Sequence, residues 1–366
     1  MKKTALGGAI AMIGFLAAHT ATAQSNVTIY GIVDSGVAYT NNTNAAGNSV
    51  VKVPSLTGSF PSRLGFRGTE DLGDGLQAVF VLESGIGMDT GTMGQGNRLF
   101  GRQANVGLKG SFGALTVGRQ NNMTFLATLK SDVMGPNLFS ISSIDPYIPN
   151  ARSDNAVGYL GTFSDVTVGA TYSFGRDASS AGGPAATNCA GEVAGNAKAC
   201  RQVTALLGYD NKRFGVTASY DIMYGGAGAA AGLTTSDSND RRTTLNGYAM
   251  AGDVRIGGGI MARRKTAATQ ANNLESNLIY LGVSYPLLPF MTLDGQVARH
   301  DVKDSGNDST LAVLRLTYYL SKRTAVYSSI GYMKNAGQAA IALDAGGTVG
   351  TGMNQSGVST GIRHSF

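Results

Sequence analysis

The feature that most restricts this chain is the alternation in length of the gaps between its period-2 segments. The clearest segment is Val166-Thr-Val-Gly-Ala-Thr-Tyr-Ser-Phe174, with Val, Val, Ala, Tyr and Phe on one face and Thr, Gly, Thr and Ser on the other. Residues 214–222 and 358–366 repeat the pattern. A period of two is that of a strand with unlike faces. The pattern predicts sixteen strands, at 26–39, 62–69, 76–86, 98–109, 113–119, 155–163, 166–174, 202–209, 214–224, 243–251, 254–265, 275–285, 290–300, 310–320, 324–333 and 356–366. Seven tight turns fall between them: Glu70 to Gly75, Gly110 to Phe112, Ser164-Asp165, Asp210 to Arg213, Gly252-Asp253, Pro286 to Pro289 and Ser321 to Arg323. Eight longer connections occupy the other end, at 40–61, 87–97, 120–154, 175–201, 225–242, 266–274, 301–309 and 334–355.

Short turns at one end, long loops at the other and an even strand count are the signature of a transmembrane antiparallel β-barrel. Closure is required, because an open sheet edge in lipid leaves backbone N–H and C=O groups unpaired. The apolar face then meets lipid and the small polar face lines a lumen. Sixteen strands enclose water, whereas about eight would leave a packed interior. Charged residues make up 14% of the chain, against about 25% in soluble domains. Fifteen tyrosines and no tryptophan supply the aromatic residues near strand ends, where an interfacial girdle is expected.

The N-terminus predicts export. Met1-Lys2-Lys3, an apolar run from Ala5 to Ala18 and Ala21-Thr22-Ala23 form a charged region, an apolar region and a small-residue cleavage site. Cleavage before Gln24 leaves 343 residues, 24–366, as a single barrel domain, and removing two lysines lowers the formal charge from +6 to +4. This mild, dispersed charge suggests no nucleic-acid partner. No later run reaches 18 apolar residues, so no membrane helix is expected. In an exported chain Cys189 and Cys200 are expected to form a local disulfide.

Residues 120–154 are too long and too apolar for a solvated loop. They include Met123, Phe125, Leu126, Leu129, Met134, Leu138, Phe139, Ile141, Ile144, Tyr147 and Ile148, with charges only at Lys130, Asp132, Asp145, Arg152 and Asp154. The loop is expected to fold into the lumen and narrow it.

Ser62-Arg-Leu-Gly-Phe-Arg-Gly-Thr-Glu-Asp-Leu-Gly-Asp-Gly-Leu76, with Ala78 and Leu82-Glu83, resembles the general porins of Gram-negative outer membranes, above all their betaproteobacterial and neisserial branch. Phe100-Gly-Arg-Gln-Ala-Asn-Val-Gly-Leu108, Phe112-Gly-Ala-Leu-Thr-Val-Gly-Arg119, Val27-Thr-Ile-Tyr-Gly-Ile-Val-Asp34 and Gly361-Ile-Arg-His-Ser-Phe366 are similar to further segments of that family. The resemblance implies a homotrimer of 16-stranded barrels in the outer membrane, each with its third long loop folded inside. It implies passive diffusion of small hydrophilic solutes and ions. It also implies that Phe366 belongs to the signal read by the barrel-assembly machinery.

A pore selects by its radius and by the charges at its narrowest point. Alternation aims Arg63 and Arg67 at the lumen, with Arg67 nearer the turn and expected to be a solvated wall charge. Arg102, Arg119 and Arg152 resemble basic positions of the family's eyelet. Strand parity, however, places Arg102 with Val106 and Leu108, and Arg119 with Leu115 and Val117. Either a bulge flips these arginines inward or they snorkel at the rim. Arg63, Arg102, Arg119 and Arg152 are expected to form one basic wall. Lys109, Arg255, Arg263, Lys265 and Arg315 are expected elsewhere in the lumen or mouth. The opposing acids are expected to be Asp132, Asp145 and Glu83, with Asp34 also inward. The field between the walls would orient dipolar solutes and disfavour apolar ones, with a preference for anions.

The rival function is an outer-membrane barrel enzyme hydrolysing lipids or peptides. Its one histidine–acid neighbour pair, His300-Asp301, has no nucleophile motif beside it, and adjacent strand residues face opposite ways. A soluble exported sandwich is disfavoured by the regular set of short turns. No catalytic set, metal or cofactor is expected. Asp301-Val-Lys-Asp304-Ser-Gly-Asn-Asp308 lacks EF-hand spacing. Gly257-Gly-Gly259 has no Lys-Ser/Thr to make a phosphate cradle. Arg241-Arg242 and Arg263-Arg264-Lys265 are expected at loop ends, as surface charge or within reach of lipopolysaccharide phosphates.

Overall fold

The computed structural model describes residues 26–179 and 186–366. The expected leader, 1–23, lies outside the described residues, as do residues 180–185 of the fourth long loop. In chain order the strands are β1 (Asn26–Thr40), β2 (Val50–Lys52), β3 (Arg63–Gly73), β4 (Leu76–Gly85), β5 (Gln103–Gly110), β6 (Gly113–Asn121), β7 (Arg152–Phe163), β8 (Val166–Ser173) and β9 (Gln202–Asp210). They continue with β10 (Phe214–Tyr224), β11 (Asn239–Ala251), β12 (Val254–Thr266), β13 (Leu274–Leu288), β14 (Met291–Val302), β15 (Ser309–Tyr319), β16 (Thr324–Asn335) and β17 (Gln355–Ser365).

Sixteen of these are barrel staves. β2 is a short addition within the first long loop, paired to the end of β1, in a segment expected to be loop. Every pairing is antiparallel, and β1 closes the ring. Its first half pairs with β3, from Asn26↔Thr69 to Ile32↔Arg63, and its second with β17, from Ile32↔Ser365 to Thr40↔Gly357. The seam runs to the last residue, where Phe366 and Gly31 exchange two backbone hydrogen bonds of 3.1 Å.

Several strand limits differ from expectation. The first tight turn contracts to Asp74-Gly75, both with positive φ (51° and 77°), the backbone a two-residue hairpin needs. The ladder also runs on through Pro286 to Leu288. β5 starts at Gln103 rather than 98, because residues 94–97 coil into a short turn.

The two faces separate as expected. Outward residues such as Ile29, Val117, Leu207, Leu281, Val297 and Ile330 are exposed, forming an apolar band for lipid. Inward positions are mostly small or polar, except where the third long loop lies on the wall. Strand order resumes only at Arg152 after Asn121, so the loop proper is 122–151. It contains a short helix, Met123–Thr128, capped by the Asn122 side chain. Its Met134, Leu138, Phe139, Ile141, Ile144 and Ile148 form a buried cluster with inward Met261, Leu278, Tyr280, Leu311, Val313 and Met333. Wall glycines admit it: a Cβ on Gly257 would stand 2.3 Å from the Ser131 carbonyl oxygen, and one on Gly357 would stand 2.9 Å from the Phe139 ring.

Candidate pore constriction

The loop lies on the inner wall of β9 to β16 and leaves an open passage beside it. On the long-loop side it widens into a cavity of ≈ 410 Å³ lined by Arg102, Arg119 and Arg152. On the turn side is a second cavity of ≈ 250 Å³, whose lining includes Phe60, Phe125 and Arg255. Pro136, Ser142 and Pro149 of the loop line both.

All four arginines expected at the constriction point inward, and two reach it by irregularities in the sheet. Arg102 precedes β5, so strand parity does not govern it. Its backbone N–H donates to Glu83 O, and its Nε donates to Glu83 Oε1 at 2.7 Å. Arg119 lies where the β6–β7 register slips. Gly118 pairs with Ala156 and Gln120 with Ser153, so Asp154 and Asn155 both oppose Arg119. This is a bulge, with φ of +119° at Gly118 and +46° at Asn155. Arg119 Nε then donates to Gly101 O at 2.7 Å, and Nη1 pairs with Asp154. Arg63 is half-buried with Nε 3.8 Å from Glu83 Oε2. Arg152 is 1% exposed, donates to Asn150 Oδ1 at 3.3 Å and stacks 5.9 Å from the Phe125 ring centroid. Arg67 is exposed near the turn and stacks on Tyr30, as a wall charge.

The acids are not arranged as the sequence suggested. Glu83 does not face the basic wall from across the gap. It stands inside that wall, between Arg63 and Arg102, and accepts from Tyr30 Oη at 2.9 Å. Asp145 is buried against the far side, where Arg242 Nε donates to it at 2.9 Å. Burial pushes the Asp145 carboxyl up, but Arg242, with Arg263 beyond it, outweighs burial and holds it at about 2. Asp132 lines the turn-side cavity, not the arginine-lined one, and accepts from Gln296 Nε2 at 2.8 Å. Burial raises its carboxyl to about 6 despite that bond and those from the backbone of Gly135 and Met134. Asp34 anchors the first loop, accepting from the Ser59 and Phe60 backbone at 2.9 and 2.8 Å and from Tyr327 Oη at 2.6 Å.

The loop is latched elsewhere by Asp221 and Arg242, which were not among the expected lumen residues, and by Arg315, which was. Asp221 accepts from Thr124 Oγ1 (2.8 Å), Gln202 Nε2 (2.7 Å) and Tyr147 Oη. Arg242 was expected at the surface beside Arg241. It is instead buried in the lumen, bound to Asp145 and Asp240 and stacked 4.3 Å from the Tyr147 centroid. Its parity with Thr244 and Asn246 on the small polar face was the available signal. Arg315 donates to Met134 O at 3.0 Å and pairs with Asp294 at 2.8 Å. Arg263 pairs with Asp240 at 2.7 Å. At the mouth, Arg98 bridges Asp154 (3.2 Å) and Asp177 (2.8 Å), and Lys52 pairs with Asp344.

Cys189 and Cys200 are bonded and pack with Ala229 and Leu233, joining the fourth long loop to the fifth. His300 and Asp301 point to opposite faces of β14, and Asp301 pairs with Lys303.

The family model described as Gram-negative porin matches residues 8–338. An outer membrane porin protein of Bordetella pertussis is 33% identical, over 100% of both chains. Outer membrane porin protein 32 of Delftia acidovorans is 31% identical, over 98% of this chain and 99% of its own. Among solved structures, the anion-selective porin from Comamonas acidovorans superposes with a TM-score of 0.77 at 27% identity, over 94% of this chain and 100% of that one.

Proposed function

Because the chain belongs to the Gram-negative porins, outer-membrane channels for small hydrophilic solutes and ions, we propose that its pore prefers anions and that Arg63, Arg102, Arg119 and Arg152 set the preference. One observation carries this: the arginine-lined cavity has an excess of positive charge. Around it stand Arg63, Arg98, Arg102, Arg119 and Arg152 against Glu83, Asp154 and Asp177. The other acid there, Asp344, is taken by Lys52. The loop carboxylates Asp132 and Asp145 lie outside that cavity. Low-dielectric walls focus such an excess and raise the local concentration of anions. The anion selectivity named for the Comamonas porin supports the same sign.

The same family membership supports a homotrimer contacting lipopolysaccharide, with the loop 120–154 as its constriction. The position of Phe366 at the closing seam supports its role in assembly. The deciding experiment is a reversal potential across a planar bilayer in a KCl gradient. The expected sign is that of chloride preference; a clear potassium preference would overturn the assignment.

A further inference from the structure

Proline is scarce in this chain, yet five of its eight prolines line the arginine-lined cavity: Pro54 and Pro61 from the first long loop and Pro136, Pro146 and Pro149 from the third. A proline presents a rigid apolar ring and no N–H donor. Leu56 and Leu138 extend the same surface. The turn-side cavity shares Pro136 and Pro149 and adds Phe60, Phe125 and Leu129. The arginine-lined cavity is therefore a slot in which arginines of the β3–β7 side stand beside an apolar strip from the first and third loops. The two meet where Arg152 stacks on Phe125.

This changes which solutes the pore should favour. A basic wall facing an acidic one would hold water in an ordered layer and reject apolar groups. Here the two loop acids that would have made the far wall are bonded to Arg242 and Gln296 outside the arginine-lined cavity. Water against prolines and leucine is instead released favourably by apolar contact. Arginine forks offer paired donors matched to a carboxylate.

We propose that the constriction is an amphipathic slot for organic monocarboxylates with a small apolar body. The carboxylate passes along Arg102, Arg119 and Arg152 while the body slides on Leu56 and the prolines. This rests on the anion preference proposed above and adds a preference among anions.

The test uses two monoanions of equal heavy-atom count that differ in one group, 2-methylpropanoate and 2-hydroxypropanoate. Each is measured against chloride by bi-ionic reversal potential in the purified native channel, which reads only the charged species. One buried methyl group sets the scale, so 2-methylpropanoate should be about fourfold more permeant. Leu56→Ser at the loop end of the strip, and Leu129→Ser at its turn-side end, should each bring that ratio toward one. Leu129 is 49% exposed in the lumen, so its replacement does not disturb the buried core. A wild-type ratio of one or below overturns the slot, and so does a ratio unmoved by both variants. Potassium preference in KCl overturns the anion assignment itself and is read independently of the ratio.

Discussion

Arg152 is buried at the first position of β7 and has no hydrogen-bond partner on Nε and no carboxylate in ion-pair range among the described residues. Its charge is therefore the least neutralised in the basic wall. A unit charge about 4 Å from a passing ion is worth ~1 kcal/mol in water, attractive for an anion and repulsive for a cation, so Arg152→Gln should lower the anion-to-cation permeability ratio by up to about thirtyfold. The reversal potential in KCl reads this. Asp145 behaves differently from a pore-facing acid. Asp145→Asn should leave selectivity nearly unchanged but deprive buried Arg242 of one of its two carboxylates. Breaking a buried pair costs ~3–5 kcal/mol when one charge is left alone; with Asp240 still in place the loss should be smaller, seen as noisier open-channel current and a lower melting temperature. Asp132, raised to about 6 in the folded chain, holds a proton that an unfolded chain releases near pH ~4. Its contribution to stability is present below about pH 4 and is lost as pH rises through about 6. Asp132→Asn should abolish that part of the pH dependence, read as the wild-type melting temperature falling relative to the variant across this window.

At the scale of elements, irregular backbone decides where charges point. The bulge at Gly118 delivers Arg119 to the lumen against the parity of β6. A Cβ at Gly118 would stand 2.3 Å from Ala104 O, at a φ that L-residues avoid. Gly118→Ala should therefore displace Arg119 and weaken anion preference in a barrel that still closes; a reversal potential matching wild type would show that the bulge does not matter. The seam has a similar dependence. Gly31 leaves room for the Phe366 ring, since a Cβ there would be 2.4 Å from it. Gly31→Val should slow folding into detergent or vesicles, measured by the appearance of the heat-modifiable band, as deletion of Phe366 should. Periodicity marks the staves, but pairing sets their ends. The β3–β4 ladder continues to Asp74-Gly75, and β5 shortens because the residues before it turn through a short coil.

At the scale of the molecule, the barrel divides into a wall covered by the inner loop and a wall left open. The division leaves a trace in composition. The inward faces of β13 and β15 carry Leu278, Tyr280, Leu311 and Val313, where a water-lined wall would be polar, and all four are buried under the loop. Family membership makes a trimer the expected assembly. An unheated denaturing gel should show a species about three times the monomer mass that collapses on boiling, and bilayer currents should rise in steps of three. The sequence by itself determined a closed sixteen-stave barrel, because period-2 faces and alternating connection lengths are local properties that lipid turns into a global constraint. It also determined that the third long loop enters the lumen, since its apolar side chains do not suit solvent, although the strands on either side take its ends and leave 122–151 as the loop proper. The tertiary structure alone decided which charges meet in the gap. That depends on where the loop lands across the barrel, on a bulge, and on pairings such as Asp145 with Arg242, 97 positions apart. Long-range ion pairs of this kind leave no periodic mark in the chain, so the acidic wall expected opposite the arginines became, on folding, the loop's own attachment to the barrel.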